Sequence, residues 1–197
     1  MIELPSVIHT DKNGNQRGVS LTTRLLTDRI VMCTGEVTSE LAESVVAQLL
    51  YLQSEDKDKP INMIVYGPGG DVSAGFAIIS IMQSLKCPVY TTVMGEVASM
   101  SAVIATSGEK GHRKIYPNSR VMLHSVASAT QGKIQDMAIY LKETERVNSL
   151  VFDHLSKCIG KPVDQLSKDF DRDFWLSDKE AVEYGVCDEL VDNSKKK

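Results

Sequence analysis

The chain has 197 residues, 42% of them apolar and 24% charged, with a formal net charge of −4. That length and balance suit one well-buried domain, and the interspersed acids and bases leave no broad basic face for nucleic acid. Cys33, Cys87, Cys158 and Cys187 are scattered, with no C-x-x-C pair and no histidine at zinc-ligand spacing, so free thiols are expected, with no metal and no cofactor. No apolar run reaches the length of a membrane span, and Met1–Pro5 lacks the basic and apolar parts of a signal peptide; a soluble cytoplasmic protein is expected.

Residues 1–20 are polar and turn-rich, Asp11-Lys12-Asn13-Gly14-Asn15 reading as a hairpin tip or loop and Lys195-Lys196-Lys197 as a solvated tail. Arg29–Cys33 predicts a short strand, followed by a helix capped by Thr38 or Ser39 that buries Leu41, Val45, Leu49 and Leu52. Ile61–Tyr66 predicts a second strand, broken by a Gly67-Pro68-Gly69-Gly70 turn and followed by a helix over Val72–Lys86. Val89–Met94 is a third strand behind Pro88, joined by the small-residue corner Gly95–Ala102 to an apolar helix over Met100–Ser107.

Three strand-then-helix units imply an α/β fold with a parallel sheet. Lys114–Tyr116 and Arg120–Leu123 predict further strands, the second ending at His124. From Lys133 to Ile159 the apolar residues mostly recur every three or four positions, giving one long amphipathic helix. It either projects and buries its stripe against another subunit or packs as an ordinary core helix. Ser177-Asp178-Lys179-Glu180 reads as a capping box, with Gly185 closing that helix before a strand over Val186–Val191.

Taken singly, the residues that carry chemistry all have plain structural readings. Ser99 at a helix start is first an N-cap, and Gly69-Gly70 are first turn residues. His124 is first a satisfied strand-end histidine, and His9, His112 and His154 lie in loops or on a helix. Asp169, Asp171 and Asp173, alternating with Phe170, Arg172 and Phe174, read as a solvated loop. A flexible Gly-Gly after a parallel strand also brings backbone N–H groups close to a ligand. The Gly70 N–H is therefore a candidate oxyanion donor, and the Met100 N–H, at the positive end of a helix, is the second. H-E-x-x-H, a Walker-type phosphate loop and G-x-S-x-G are all absent.

The order and wording of these segments from Leu25 to Val191 resemble the caseinolytic protease (ClpP) family of self-compartmentalising serine peptidases. The resemblance rests on three motifs: the corner Gly95–Ala102, the strand Pro117–His124 and the loop Asp171–Ser177, with Trp175 at a position where the family has Phe. It implies Ser99 as nucleophile, His124 as general base and acid, Asp173 as the group orienting the imidazole, and Gly70 and Met100 as oxyanion donors.

It also implies a crotonase-like fold of repeated β-β-α units with a helical handle over about 133–159. Residues 1–20 would be an axial loop segment and 21–197 a single peptidase domain. Two seven-membered rings would enclose a chamber, with Asp171 and Arg172 in a ring-to-ring pairing element, and an AAA+ ATPase hexamer would thread unfolded proteins into it. The chain departs from the family pattern at Ile64, where a tyrosine is common in the ATPase-docking pockets, and at Glu96 and Ser101. Glu96 adds negative charge near the nucleophile and Ser101 adds bulk to the first helical turn; together with Ile64 these departures motivate an alternative reading as a weakly active subunit of a mixed ring.

Overall fold

A hairpin opens the described chain: β1 (Ser6–Thr10) pairs antiparallel with β2 (Gln16–Ser20), Ser6 opposite Ser20. The computed structural model describes residues 5–10, the side chain of His9 excepted, and 14–191. Asp11, Lys12 and Asn13 of the expected loop tip, and the expected Lys195–Lys197 tail, lie outside the described residues. Ser20 caps a helix that the sequence reading did not anticipate, α1 (Leu21–Thr27), by accepting from the Thr23 N–H at 3.1 Å.

The expected strand–helix units follow as β3 (Ile30–Val37), α2 (Ser39–Glu55), β4 (Ile61–Gly70), α3 (Val72–Ser84), β5 (Val89–Ala98) and α4 (Met100–Thr106). β3, β4 and β5 are parallel neighbours. Thr38 caps α2 by accepting from the Leu41 N–H, and the helix buries Ala42, Val45, Leu49 and Leu52, with Leu41 only half-buried. β6 (Arg113–Ile115) lies parallel to the first half of β5, and β7 (Arg120–Leu123) parallel to its second half. β8 (Phe174–Ser177) pairs antiparallel with β7, and β9 (Glu189–Leu190) pairs parallel with β6. The result is an α/β architecture on a mixed, mostly parallel sheet of seven strands among the described residues.

The turn expected at Gly67–Gly70 does not end its strand. β4 continues through it, Gly67 paired with Val97 of β5, and Gly69 and Gly70 with Glu36 and Val37 of β3. Glycine makes this possible: φ is positive at all three glycines, and a Cβ on Gly69 would stand 2.6 Å from Ser99 Cβ and 2.7 Å from Ala98 O.

The long helix α5 (Ile134–Ile159) is buried along only part of its length. Its C-terminal part buries Val151, Phe152, Leu155 and Ile159 in the core, whereas Ile134, Ile139 and Leu141 are 81%, 69% and 58% exposed. Gly160 ends it in the left-handed conformation. α6 (Val163–Asp169) follows, then β8 and α7 (Asp178–Tyr184), which has the expected Ser177–Glu180 capping box and a left-handed Gly185.

The last strand is shorter than expected because the Val186 and Cys187 N–H groups donate to Ala181 O at the end of α7. Arg113, 1% exposed, gathers these parts: it donates to both carboxylate oxygens of Asp188, to Thr106 O at the end of α4 and to Cys158 O on α5. Burial pushes the Asp188 carboxyl up, but hydrogen bonds from Arg113 and the Gly111 N–H outweigh it and hold the group below the usual carboxylate range. No described helix is long and apolar enough to cross a membrane.

Candidate active site

The corner between β5 and α4 places Ser99 at φ 51°, ψ −126°, a sparsely populated region for a residue with a Cβ, costing on the order of 1–3 kcal/mol. Close packing enforces the conformation: Gly69 presses against Ser99 from β4, and the Ser99 N–H donates to Met122 O of β7 at 2.9 Å. The plain N-cap reading does not hold, because the Ser99 side chain makes no capping hydrogen bond. Its Oγ lies 2.9 Å from His124 Nε2.

Sheet register explains how residues so far apart in sequence meet. β7 pairs with β5 at Val97–Val121 and Ala98–Met122, so Ser99 and His124 leave adjacent strands near the same edge. β8 runs back along β7 with Leu123 opposite Phe174, which brings His124 to Asp173 one step further on. His124 Nδ1 stands 3.4 Å from Asp173 Oδ1, the histidine side chain 26% exposed and the aspartate 62%. The ring thus has its two nitrogens facing a hydroxyl and a carboxylate, the arrangement that lets Nε2 accept a proton while the carboxylate steadies the cation formed.

Beside this pair lies a cavity of about 240 Å³, bounded by Gly70, Val72, Ser99, Met100, Val103, His124, Val126 and Val151. Gly70 and Met100 therefore border the same space as the hydroxyl. The Met100 N–H is the first of α4, and such N–H groups have no acceptor within their own helix. Asp171 and Arg172 stand beside Asp173 on the surface, their side chains 76% and 94% exposed.

The two departures noted around Ser99 have partners in the fold. Glu96 accepts from Arg120 Nε at 2.7 Å and meets its NH2 at 2.5 Å, and the guanidinium lies 5.1 Å from the Trp175 ring centre. Glu96 and Arg120 are paired across β5 and β7. The expected uncompensated negative charge is thus neutralised in place. Ser101, 2% exposed, accepts a hydrogen bond from the Gly69 N–H at 3.2 Å, so its added bulk occupies a made place. Sequence reading registered Ser101 only as a substitution; its contact with a glycine 32 residues away has no local signal.

A second serine–histidine contact joins Ser107 Oγ to His154 Nε2 at 2.7 Å, with Cys158 Sγ 3.5 Å from the same nitrogen. Among the described residues no group of three or more His, Cys, Asp or Glu is arranged to hold a metal.

An α/β fold that presents a hydroxyl, an imidazole and a carboxylate in line beside an apolar cavity is equipped for acyl transfer to water. The Clp protease family model matches residues 13–194. An ATP-dependent Clp protease proteolytic subunit of Streptococcus sanguinis (strain SK36) is 42% identical over 97% of this chain and 98% of its own length. Its counterpart in Streptococcus suis (strain 98HAH33) is 42% identical over 98% of this chain and 100% of its own. The chain belongs to the Clp protease family.

Proposed function

We propose that the chain is the proteolytic subunit of an ATP-dependent Clp protease, a serine endopeptidase that cuts unfolded polypeptides into short peptides. The observation that carries this reading is the 2.9 Å contact between His124 Nε2 and a Ser99 hydroxyl that caps nothing, held in a strained corner. In the first step Ser99 Oγ attacks the scissile carbonyl carbon while His124 Nε2 takes its proton, and Asp173 stabilises the imidazolium. The carbonyl oxygen, now an anion, accepts from the Gly70 and Met100 N–H groups, the second aided by the α4 dipole. Collapse breaks the C–N bond, the leaving amine taking the proton from His124. Water then attacks the acyl-serine by the same relay and releases the acid.

The rest of the reading follows the family pattern. The described part of residues 21–197 forms one crotonase-like peptidase domain, that of residues 1–20 an axial segment, and α5 a handle. The exposed apolar side chains of Ile134, Met137 and Leu141, spaced i, i+3 and i+7 on one face, suit that last role, since a lone chain has no use for such a stripe. Two heptameric rings stack, Asp171 and Arg172 pairing across them, and a cytoplasmic AAA+ ATPase hexamer feeds the chamber. The pairing of Glu96 with Arg120 and the seating of Ser101 answer two of the three departures behind the weakly active reading, and Ile64 is the third.

The test is a fluorophosphonate probe with peptide mapping, beside peptide hydrolysis and native mass of the purified chain. Labelling at Ser99, a tetradecamer and cleavage lost in Ser99→Ala are expected. Hydrolysis that survives in Ser99→Ala would falsify the assignment.

A further inference from the structure

We propose that Ser101 is a positioning residue for the oxyanion site, holding its two backbone donors at a fixed separation. The inference rests on the serine peptidase reading and deepens it. The two donors come from different parts of the fold: Gly70 from the end of β4 and Met100 from the first turn of α4. Strand pairing holds Gly69 and Gly70 to β3 and reaches β5 last at Gly67–Val97, so no backbone ladder joins Gly70 to Met100 directly. The residues next to them are what touch. Gly69 precedes one donor and Ser101 follows the other, and the Gly69 N–H donates to Ser101 Oγ at 3.2 Å in a buried setting.

Two further observations make the contact specific. A Cβ placed on Gly69 would stand 2.8 Å from Met100 N, so the glycine backbone lies directly against the donor on α4. No buried side-chain nitrogen or oxygen among the described residues lacks a partner, so the Ser101 hydroxyl belongs to a fully satisfied interior. The Gly69 N–H has no side chain of its own to steady it, and glycine carries the largest backbone freedom of any residue. A buried acceptor from α4 removes that freedom at the residue adjoining the Gly70 donor. An oxyanion site works because its donors are aimed before charge develops. The bond therefore acts on the transition state more than on the bound ground state, in which the carbonyl needs less from the donors.

The experiment uses the full chain in its assembled form, steady-state hydrolysis of a fluorogenic peptide, and a peptide boronate. The boronate's tetrahedral adduct with Ser99 Oγ sends a boron-bound oxygen to the donor pair. Ser101→Ala keeps the local shape and removes the acceptor. We expect kcat to fall about tenfold with KM within about twofold, and boronate affinity to weaken about tenfold in step. A purely structural role lowers thermal stability and leaves that split unmoved. Unchanged kcat overturns the proposal, as does a loss confined to KM, or a kcat loss with boronate affinity intact. Ser101→Gly removes the same acceptor without adding an atom and is expected to show the same split; it decides the matter if the alanine variant does not fold. Ser99→Ala runs alongside. Activity surviving there removes the serine reading and the positioning role together. An inactive Ser99→Ala beside an unaffected Ser101→Ala removes the positioning role alone.

Discussion

The helix α4 has a serine hydrogen-bonded to a histidine at each end, and the two pairs have different surroundings. At its start Ser99 Oγ meets His124 Nε2 at 2.9 Å; just past its end Ser107 Oγ meets His154 Nε2 at 2.7 Å. Under the proposed function the shorter contact is the inert one. The Ser107 hydroxyl donates its only proton to Val103 O at 2.6 Å, so the His154 nitrogen facing it must itself be the donor and cannot take that proton. Ser107 has relaxed helical dihedrals, φ −83° and ψ −1°, at the negative end of the helix, where an oxyanion gains nothing. His154 is backed by the edge of Phe76 rather than by a carboxylate. Ser99 differs on every count: strained backbone, an uncommitted hydroxyl, the positive end of the helix, and a histidine with Asp173 behind it. A serine–histidine distance is thus a poor mark of a nucleophile. The commitments of the other hydrogen-bonding groups decide.

Removing each hydroxyl separates the two pairs most directly. Ser99→Ala is expected to lose roughly 10⁴-fold or more in peptide hydrolysis, the scale of nucleophile deletion in a triad. Ser107→Ala is expected to keep turnover within about twofold and fluorophosphonate labelling at Ser99, because its bonds join the helix end to α5 and reach neither Ser99 nor His124. If the two alanines lost activity equally, the distinction drawn between the pairs would be wrong. Next in size is the carboxylate. Asp173→Asn is expected to lower turnover by up to about 10⁴-fold with little change in KM, since it leaves the ring poorly oriented and its cation unsupported. Single-turnover acylation rates measure this; a loss below about threefold would exclude Asp173 from the relay.

Charge near the nucleophile sharpens the contrast at a smaller scale. Glu96 is held by Arg120, which also packs on Trp175, so the pair presents little net field to Ser99. Arg120→Gln frees the carboxylate and is expected to slow acylation severalfold, more so at low salt, because an unpaired anion opposes oxyanion formation. Glu96→Gln in the Arg120→Gln background is expected to restore the rate. Equal rates for the single and double variants, measured at low and high salt, would show that Glu96 does not act through its charge.

The parallel strand–helix units, the α2 cap, the Ser177 capping box and the left-handed Gly185 were legible because each rests on residues close in sequence. What was not legible was long-range. The run Gly67–Gly70 has the local chemistry of a turn, yet β3 and β5 on either side carry it onward as strand. α5 reads as one amphipathic stripe, and no local signal separates the part that meets the core from the part that does not. At the site, the resemblance supplied candidate residues, while the Ser99 strain, the Arg120 partner of Glu96 and the Ser101 bond to Gly69 emerge only when distant strands are brought together.

The smallest expected effect concerns the inert pair and is read in stability rather than rate. Burial, with a smaller contribution from the Lys157 charge, holds His154 below the ordinary imidazole range. The groups in direct contact with it are neutral, Ser107 and Cys158 by hydrogen-bond contact and Phe76 at a 5.8 Å ring distance, and the charge that reaches it is that of Lys157. With the folded-state pKa below the unfolded one, the unfolded chain binds the proton first as pH drops. The stability tied to neutral His154 is therefore present above the ordinary imidazole range and is lost as pH falls through that range to the lower folded-state pKa. His154→Gln keeps an N–H for Ser107 and cannot titrate. Its melting midpoint is expected to fall less than the parent's between pH 7.5 and 5.5, by on the order of a few degrees. Scanning calorimetry at matched protein concentration measures the difference. Parallel curves for the two proteins would mean that the Ser107 end of α4 is as indifferent to protonation as it is to catalysis, and that the acid sensitivity of the fold lies elsewhere.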